Sequence, residues 1–519
     1  MTWELLHRGR WTLLAAALGG IAFPSIIYAA LEREQILDPR HQSMLVLHFV
    51  LVQFSMIYLA VAIYGAQDKI SRLYTVPASA ATLVAWRMLP AMALIALGSL
   101  LVTSVLNELF PINWPLWGPA LVLSVAFAAI QAIVWLTEKS LWIVAAIVFA
   151  YGAIVLWFKS RYGPLLGQPT HSWAEVTPGE VLTMLTAALA AYGVAVVGVA
   201  RNRRGEPPLS LGIVAWLERK FDRAPATYPP LSSPIRAQSW FEWKHKGWAM
   251  PAGAAFGVLI FLAFWLAISR DAKELFQGLL AGGGMLSVLG TVGALTTGLT
   301  GANDRKPTIS TFLATRPMTD GQLAAIIVNT AARSVVLAWS IWAATVLMFY
   351  LLLSSTGYLT NPQLPKSLGL WYFPTTIVSM WTVVGVGLSI GLSGRPEMFI
   401  RAIVSCLLIA IGVTLLSKFA LSAAATQLLN NILMGTIGVG LVLLIASFFL
   451  AAHRRALISS PALAVALMVW VMLCAAAFSL GPPTDVASIP FFLLLVGALG
   501  LTVSPLAAAP LALAANRHR

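Results

Sequence analysis

Of 519 residues, 59% are apolar and only 10% charged, against about 45–50% and 25% in soluble globular chains, which excludes a soluble protein of this size. Two cysteines, Cys406 and Cys474, each inside an apolar stretch, exclude a disulfide framework and a cysteine metal site. The net charge of +14 is distributed over loops between apolar runs, so it points to anionic headgroups or a partner protein rather than to nucleic acid.

A hydrocarbon core takes about 20 mostly apolar helical residues. Such runs fall near 11–31, 44–66, 83–106, 118–136, 140–158 and 179–200. After a polar stretch they resume near 248–268, 278–300, 323–353, 371–392, 402–420, 430–452, 461–480 and 490–515. The chain therefore reads as an all-α polytopic membrane protein of about 14 transmembrane helices. The run 323–353 is too long for one vertical span, so its first turns are expected at the interface. A cleaved signal peptide is the competing reading of the first run. The length of that run, and the return of its leading motif in mid-chain, favour a retained helix.

Lys and Arg in the loops set the orientation. With the N-terminus inside, 23 of the 33 cations lie on the inner side and eight on the outer, while Arg87 and Arg333 fall within runs. Both termini are expected to be cytoplasmic. Snorkelling explains Arg87 and Arg333, the alternative being contact with an anionic lipid headgroup.

The chain repeats itself. Trp3-Glu4-Leu5-Leu6-His7-Arg8-Gly9 matches Phe241-Glu242-Trp243-Lys244-His245-Lys246-Gly247, and a Trp follows each copy (Trp11, Trp248) before an apolar run. Leu73-Tyr74-Thr75-Val76-Pro77-Ala78-Ser79 aligns with Leu313-Ala314-Thr315-Arg316-Pro317-Met318-Thr319. The offsets are 238 and 240 residues, in the same topological position of each half. Six spans separate the copies, so the repeat is parallel. The expected division is 1–200 as a first six-helix half, 201–240 as a basic cytoplasmic linker, 241–455 as a second six-helix half, and 456–519 as two additional C-terminal helices.

Each repeated motif has a physical reading. Aromatics interleaved with cations (Trp3, His7, Arg8; Phe241, His245, Lys246, with Glu4 and Glu242) suit a helix lying in the interface, an elbow ahead of the first span of each half. The bland alternative is an aromatic belt. The segments 67–82 and 301–322 pair charges with a short apolar stretch, then Thr-x-Pro and a Ser or Thr. Proline lacks an amide donor and restricts its predecessor, and Ser79 or Thr319 is suited to cap the next helix.

With these motifs the sequence resembles an ABC-2 type transporter permease. The resemblance covers about 1–455 in architecture but only some 30 residues in motif. It implies six spans per half, an interfacial connecting helix before the first span, and a coupling helix between the second and third. Contact with an ATPase on another chain would then fall on Leu73, Thr75, Pro77, Ser79, Leu313, Thr315, Arg316, Pro317 and Thr319. It also implies that ATP and Mg bind the partner and that this chain has no catalytic residues and no cofactor. Export across the plasma (inner) membrane is implied too, and with both halves fused a homodimer is not required. The chain departs from the family in that fusion and in the two added helices.

No G-x-x-x-x-G-K-[ST] phosphate loop occurs in the sequence. The glycines between Gly282 and Gly301 read first as close helix packing. The alternative is a translocation path offering Ser287, Thr291, Thr296 and Thr297. The nineteen acids fit loops or span ends, although Glu108, Glu180 and Asp485 lie near boundaries. That placement argues against an ion-coupled secondary transporter; a membrane scaffold or sensor is the other rival. A metal site from His41, Glu34, Asp38 and His48 is a weaker reading than a solvated loop.

Overall fold

The computed structural model describes residues 2–33, 74–110, 114–137, 176–206, 233–268, 318–356, 372–419, 422–480 and 489–517. It also describes scattered positions within 56–63, 152–157 and 275–294. Among these residues all regular structure is helical: α1 (Thr2–Arg33), α2 (Ala80–Leu109), α3 (Trp117–Thr137), α4 (Pro178–Arg203), α5 (Pro234–Glu242), α6 (Ala249–Ile268), α7 (Asp320–Ser355), α8 (Tyr372–Leu392), α9 (Pro396–Phe419), α10 (Ala423–Arg454), α11 (Ser460–Leu480), α12 (Ile489–Val503) and α13 (Pro505–Arg517).

Local chemistry sets the helix starts. Ser79, Thr177, Thr319 and Ser422 hold extended backbone, and their hydroxyls accept the first free amides of α2, α4, α7 and α10. Glu180 and Gln322 reach back to the cap amides of α4 and α7, closing capping boxes.

Among the described residues eight helices (α1, α2, α3, α4, α7, α8, α10 and α11) are long and apolar enough to cross a membrane. There are nine if α12 and α13, bent by 57°, form one broken span. Pro505 has no amide to continue the ladder and accounts for that bend. α6 covers the apolar run 248–268 and α9 overlaps the run 402–420, beginning six residues earlier; the other apolar runs lie mostly outside the described residues. Large apolar side chains stay uncovered in stripes at helical spacing: Leu182, Leu185 and Leu189 on α4, Leu347 and Leu351 on α7, Met468, Val471 and Met472 on α11. In water such stripes would drive association; in lipid they are the solvent-facing surface. The architecture is that of a helical multi-pass membrane protein.

The chain divides into two compact units, one of 1–226 with 400–421 and one of 227–399 with 422–519. In the first, α2 packs against α1, α3 and α4, and α3 lies along α4. Gly198 permits that approach, since a Cβ there would lie 2.8 Å from the Leu136 Cα. Ser124 on α3 donates to the Met92 carbonyl of α2 (3.1 Å). Most of α9 belongs to this unit; its Leu407 rests on Gly19, and the Arg401 guanidinium stands 5.3 Å from the Trp11 ring centroid.

In the second unit α7 is the central helix, packed by α5, α6, α8 and α13. Trp342 and Tyr372 donate to the carbonyls of Leu279 and Leu280, and Gly283 makes room for the edge of the Trp342 ring and the Tyr372 hydroxyl. Glycines also bring α10 and α12 together, with Gly438 against the Leu493–Leu494 backbone. The C-terminal helices α11, α12 and α13 fall within this unit. Ala509 and Leu513 of α13 are buried in the same core as Ala331, Val335 and Leu388.

Candidate functional site

The two copies of the cap motif can be compared directly. Ahead of α2, the Ala78 amide donates to the Val76 carbonyl (2.8 Å) across Pro77. This is a tight turn that suits the restricted φ of proline. Thr75, Pro77 and Ser79 are exposed, and the Ser79 hydroxyl accepts the Thr82 amide (3.1 Å). Ahead of α7, Thr319 is exposed and accepts the Gln322 amide (3.2 Å), while Met318 is buried. Leu73, Leu313, Thr315, Arg316 and Pro317 lie outside the described residues.

Basic residues from distant sequence hold both loops. Arg203, at the end of α4, donates to the Ala78 carbonyl (2.5 Å) and to the Val76 carbonyl (3.0 Å). Arg517, at the end of α13, donates to the Met318 carbonyl (2.7 Å) and pairs with Asp320 (2.9 Å). An open cleft of about 470 Å³ is lined by Arg517, by residues 319–322 at the start of α7 and by Ala456 and Leu457 of the α10–α11 turn, with Gly321 close against the Leu457 carbonyl. Beyond α4 the chain turns at Gly205, whose φ of +72° favours glycine. The hydrogen bond from Arg204 (2.6 Å) holds the Glu206 carboxyl below its ordinary range.

The elbow motif takes different forms in its two copies. In the first, α1 runs unbroken from Thr2 into the span, with Trp3, Glu4, His7 and Arg8 in its opening turns and Gly9 buried. In the second, α5 is followed by one π-helical turn, Trp243–Gly247, before α6. Gly247 explains that turn in part: a Cβ there would overlap the Trp243 ring, which folds back over it. Phe241 and His245 stack with centroids 4.2 Å apart, and the Lys244 ammonium lies 5.1 Å from the Trp240 centroid.

Within the second elbow sequence Glu242 turns inward. It is 1% exposed, bonded to Lys246 (2.9 Å) and to the buried amide of Gln238 (2.9 Å). The spacing of 238, 242 and 246 is the i, i+4 signal that could have revealed this row in the sequence.

The buried Ser334 hydroxyl on α7 donates to the Gly247 carbonyl, so α6 begins alongside Ser334. From there to Ser355 α7 has 22 residues, about 33 Å, close to a hydrocarbon thickness of about 30 Å. Its opening residues, 320–333, project about 20 Å beyond that level. Arg333 directly precedes Ser334 and so stands at the level where α6 begins.

Of the remaining sequence candidates, Ser287, Thr291, Thr296 and Thr297 lie outside the described residues, as do His41, Glu34, Asp38, His48 and Asp485. Of the described glycines of the rich run, Gly282 and Gly283 pack against Trp342 and Gly290 against Val384 and Met380, whereas Gly284 faces open space. Glu108 is exposed in the last turn of α2, and Glu180 belongs to the cap of α4. Among the described residues no group of three or more His, Cys, Asp or Glu side chains is close enough to hold a metal ion. Comparison with family models, with curated proteins and with solved structures returns no match to this chain.

Proposed function

We propose that this chain is the membrane-spanning component of an ATP-driven exporter of the ABC-2 type, working with a separate ATPase subunit that binds ATP and Mg. The observation that carries the reading is the exposed start of the third span in both halves. It is preceded by proline in the sequence, capped by Ser79 or Thr319, and held by an arginine. In the second half this point stands about 20 Å beyond the level where α6 begins, far enough from lipid to meet a soluble partner. In this reading the protein is a multi-pass component of the plasma (inner) membrane, with both termini and both loops cytoplasmic. ATP-dependent motion of the partner displaces the loops, and the spans behind them move substrate outward. The fused halves make a homodimer unnecessary.

Isolation of the full-length protein from native membranes tests this. An ATPase carrying phosphate-loop motifs is expected to accompany it, and removing 67–82 or 301–322 is expected to abolish transport. Isolation without an ATPase, together with transport that follows an ion gradient, would replace the proposal with a secondary transporter. No transport and no stimulated ATPase activity would replace it with a scaffold.

A further inference from the structure

Arg203 and Arg517 each follow an asparagine, and both asparagines make the same kind of bond. Asn202 donates from the end of α4 to the Trp135 carbonyl in the last turns of α3 (2.8 Å). Asn516 donates from the end of α13 to the Leu392 carbonyl at the end of α8 (3.0 Å). Each final helix thus uses neighbouring Asn and Arg side chains to tie two places. The amide holds the preceding span of its half through an orphan helix carbonyl, and the guanidinium holds the loop ahead of α2 or α7. The packing agrees, since α4 lies on α2 and α3 as α13 lies on α7 and α8. A second bond, from the Tyr192 hydroxyl to the Ala81 carbonyl (2.9 Å), fastens α4 to the first turn of α2.

The register of the repeat agrees as well. The offset is 240 residues from Ser79 to Thr319, 257 from Trp135 to Leu392, and 314 from Asn202 to Asn516. The last step adds 57 residues, close to the length of the α10–α11 hairpin at 423–480. α10 is the rival counterpart of α4, since it ends in Arg454 and Arg455 followed by a left-handed residue, Ala456 (φ +53°). It packs mainly along α12, however, whereas Arg517 of α13 bonds to Met318 and Asp320.

We infer that Asn202–Arg203 and Asn516–Arg517 are equivalent latches that fasten the coupling loop of each half to its last helix, and that the inserted helices of the second half are α10 and α11. The inference deepens the proposed function and rests on it for the word coupling; the latch itself does not. Arg203 and Arg517 are positioning residues. A loop pushed from outside carries the last helix with it, and that helix is broken at Pro505 in the second half only.

The test uses full-length protein with Cys406 and Cys474 replaced by alanine, reporter cysteines at Thr75 or Met318, and a membrane-impermeant maleimide applied to opened membranes. R203A is expected to speed labelling of T75C several-fold, and R203K to restore it in part because lysine reaches one carbonyl where arginine reaches two. R517A is expected to expose the buried M318C by a similar factor, and R454A to leave it unchanged. Equal rates with and without Arg203 and Arg517, or an R454A effect equal to that of R517A, would overturn the latch whether or not an ATPase is found. With the ATPase present, a reporter at Arg204 at the end of α4 should respond to nucleotide, and R203A should remove that response while T75C still responds. Persistence of both responses would overturn the role in transmission. Absence of any ATPase would instead overturn the proposed function and leave the labelling result to decide the latch.

Discussion

The buried Glu242–Lys246 pair makes the sharpest energetic prediction. Glu242 is 1% exposed and Lys246 18%, with Gln238 fully buried beside them. Replacing Lys246 with methionine keeps the aliphatic stem but leaves a buried carboxylate with only an amide partner, a loss of about 3–5 kcal/mol for a broken buried pair. Replacing Glu242 with glutamine is milder, because the partly exposed lysine can turn toward water or headgroups. Its cost is then nearer the value of one charge-assisted hydrogen bond, about 1.5–3 kcal/mol. Together, E242Q and K246M should be less damaging than K246M alone, since no unpaired charge remains. The assay is the fraction of detergent-solubilised protein that stays monodisperse after stepwise heating. E242Q as harmful as K246M, or a double variant that loses the sum of the single losses, would refute the buried-pair argument.

Other outcomes follow from local geometry. S79A and T319A each remove a helix cap worth about 1 kcal/mol, so hydrogen exchange in the first turns of α2 and α7 should quicken about fivefold. G198A should destabilise the first unit by about 1–3 kcal/mol, because its Cβ would meet the α3 backbone. G193A, on the same helix with nothing within 4 Å, should be neutral or slightly stabilising. Thermal midpoints of the two variants compared side by side decide the matter.

Much of the local architecture was legible in the sequence because its signals are local. Unbroken apolar runs with few charges require helices in lipid, since only internal hydrogen bonds satisfy the backbone there. Ser79 and Thr319, each two residues after a proline, announce helix starts by cap chemistry alone, and both starts occur where expected. The overlong run 323–353 likewise announced a single long helix, and α7 runs unbroken from Asp320 to Ser355.

Other features depended on packing between segments far apart in sequence. That Glu242 turns inward reflects the face α5 presents to α7, which composition does not specify. The two elbow sequences differ in form, with the Trp243 ring folded over Gly247 at a π turn in one and Gly9 within continuous helix in the other.

From the residues alone came the lipid solvent, the apolar helices and their caps, because each is written in hydropathy or in contacts a few residues apart. Only the tertiary structure decided that the C-terminal helix belongs within the core of the second unit and which arginine grips which loop. Those contacts join residues more than a hundred positions apart, and an exposed-looking Arg at a helix end carries no mark of the carbonyl it will meet.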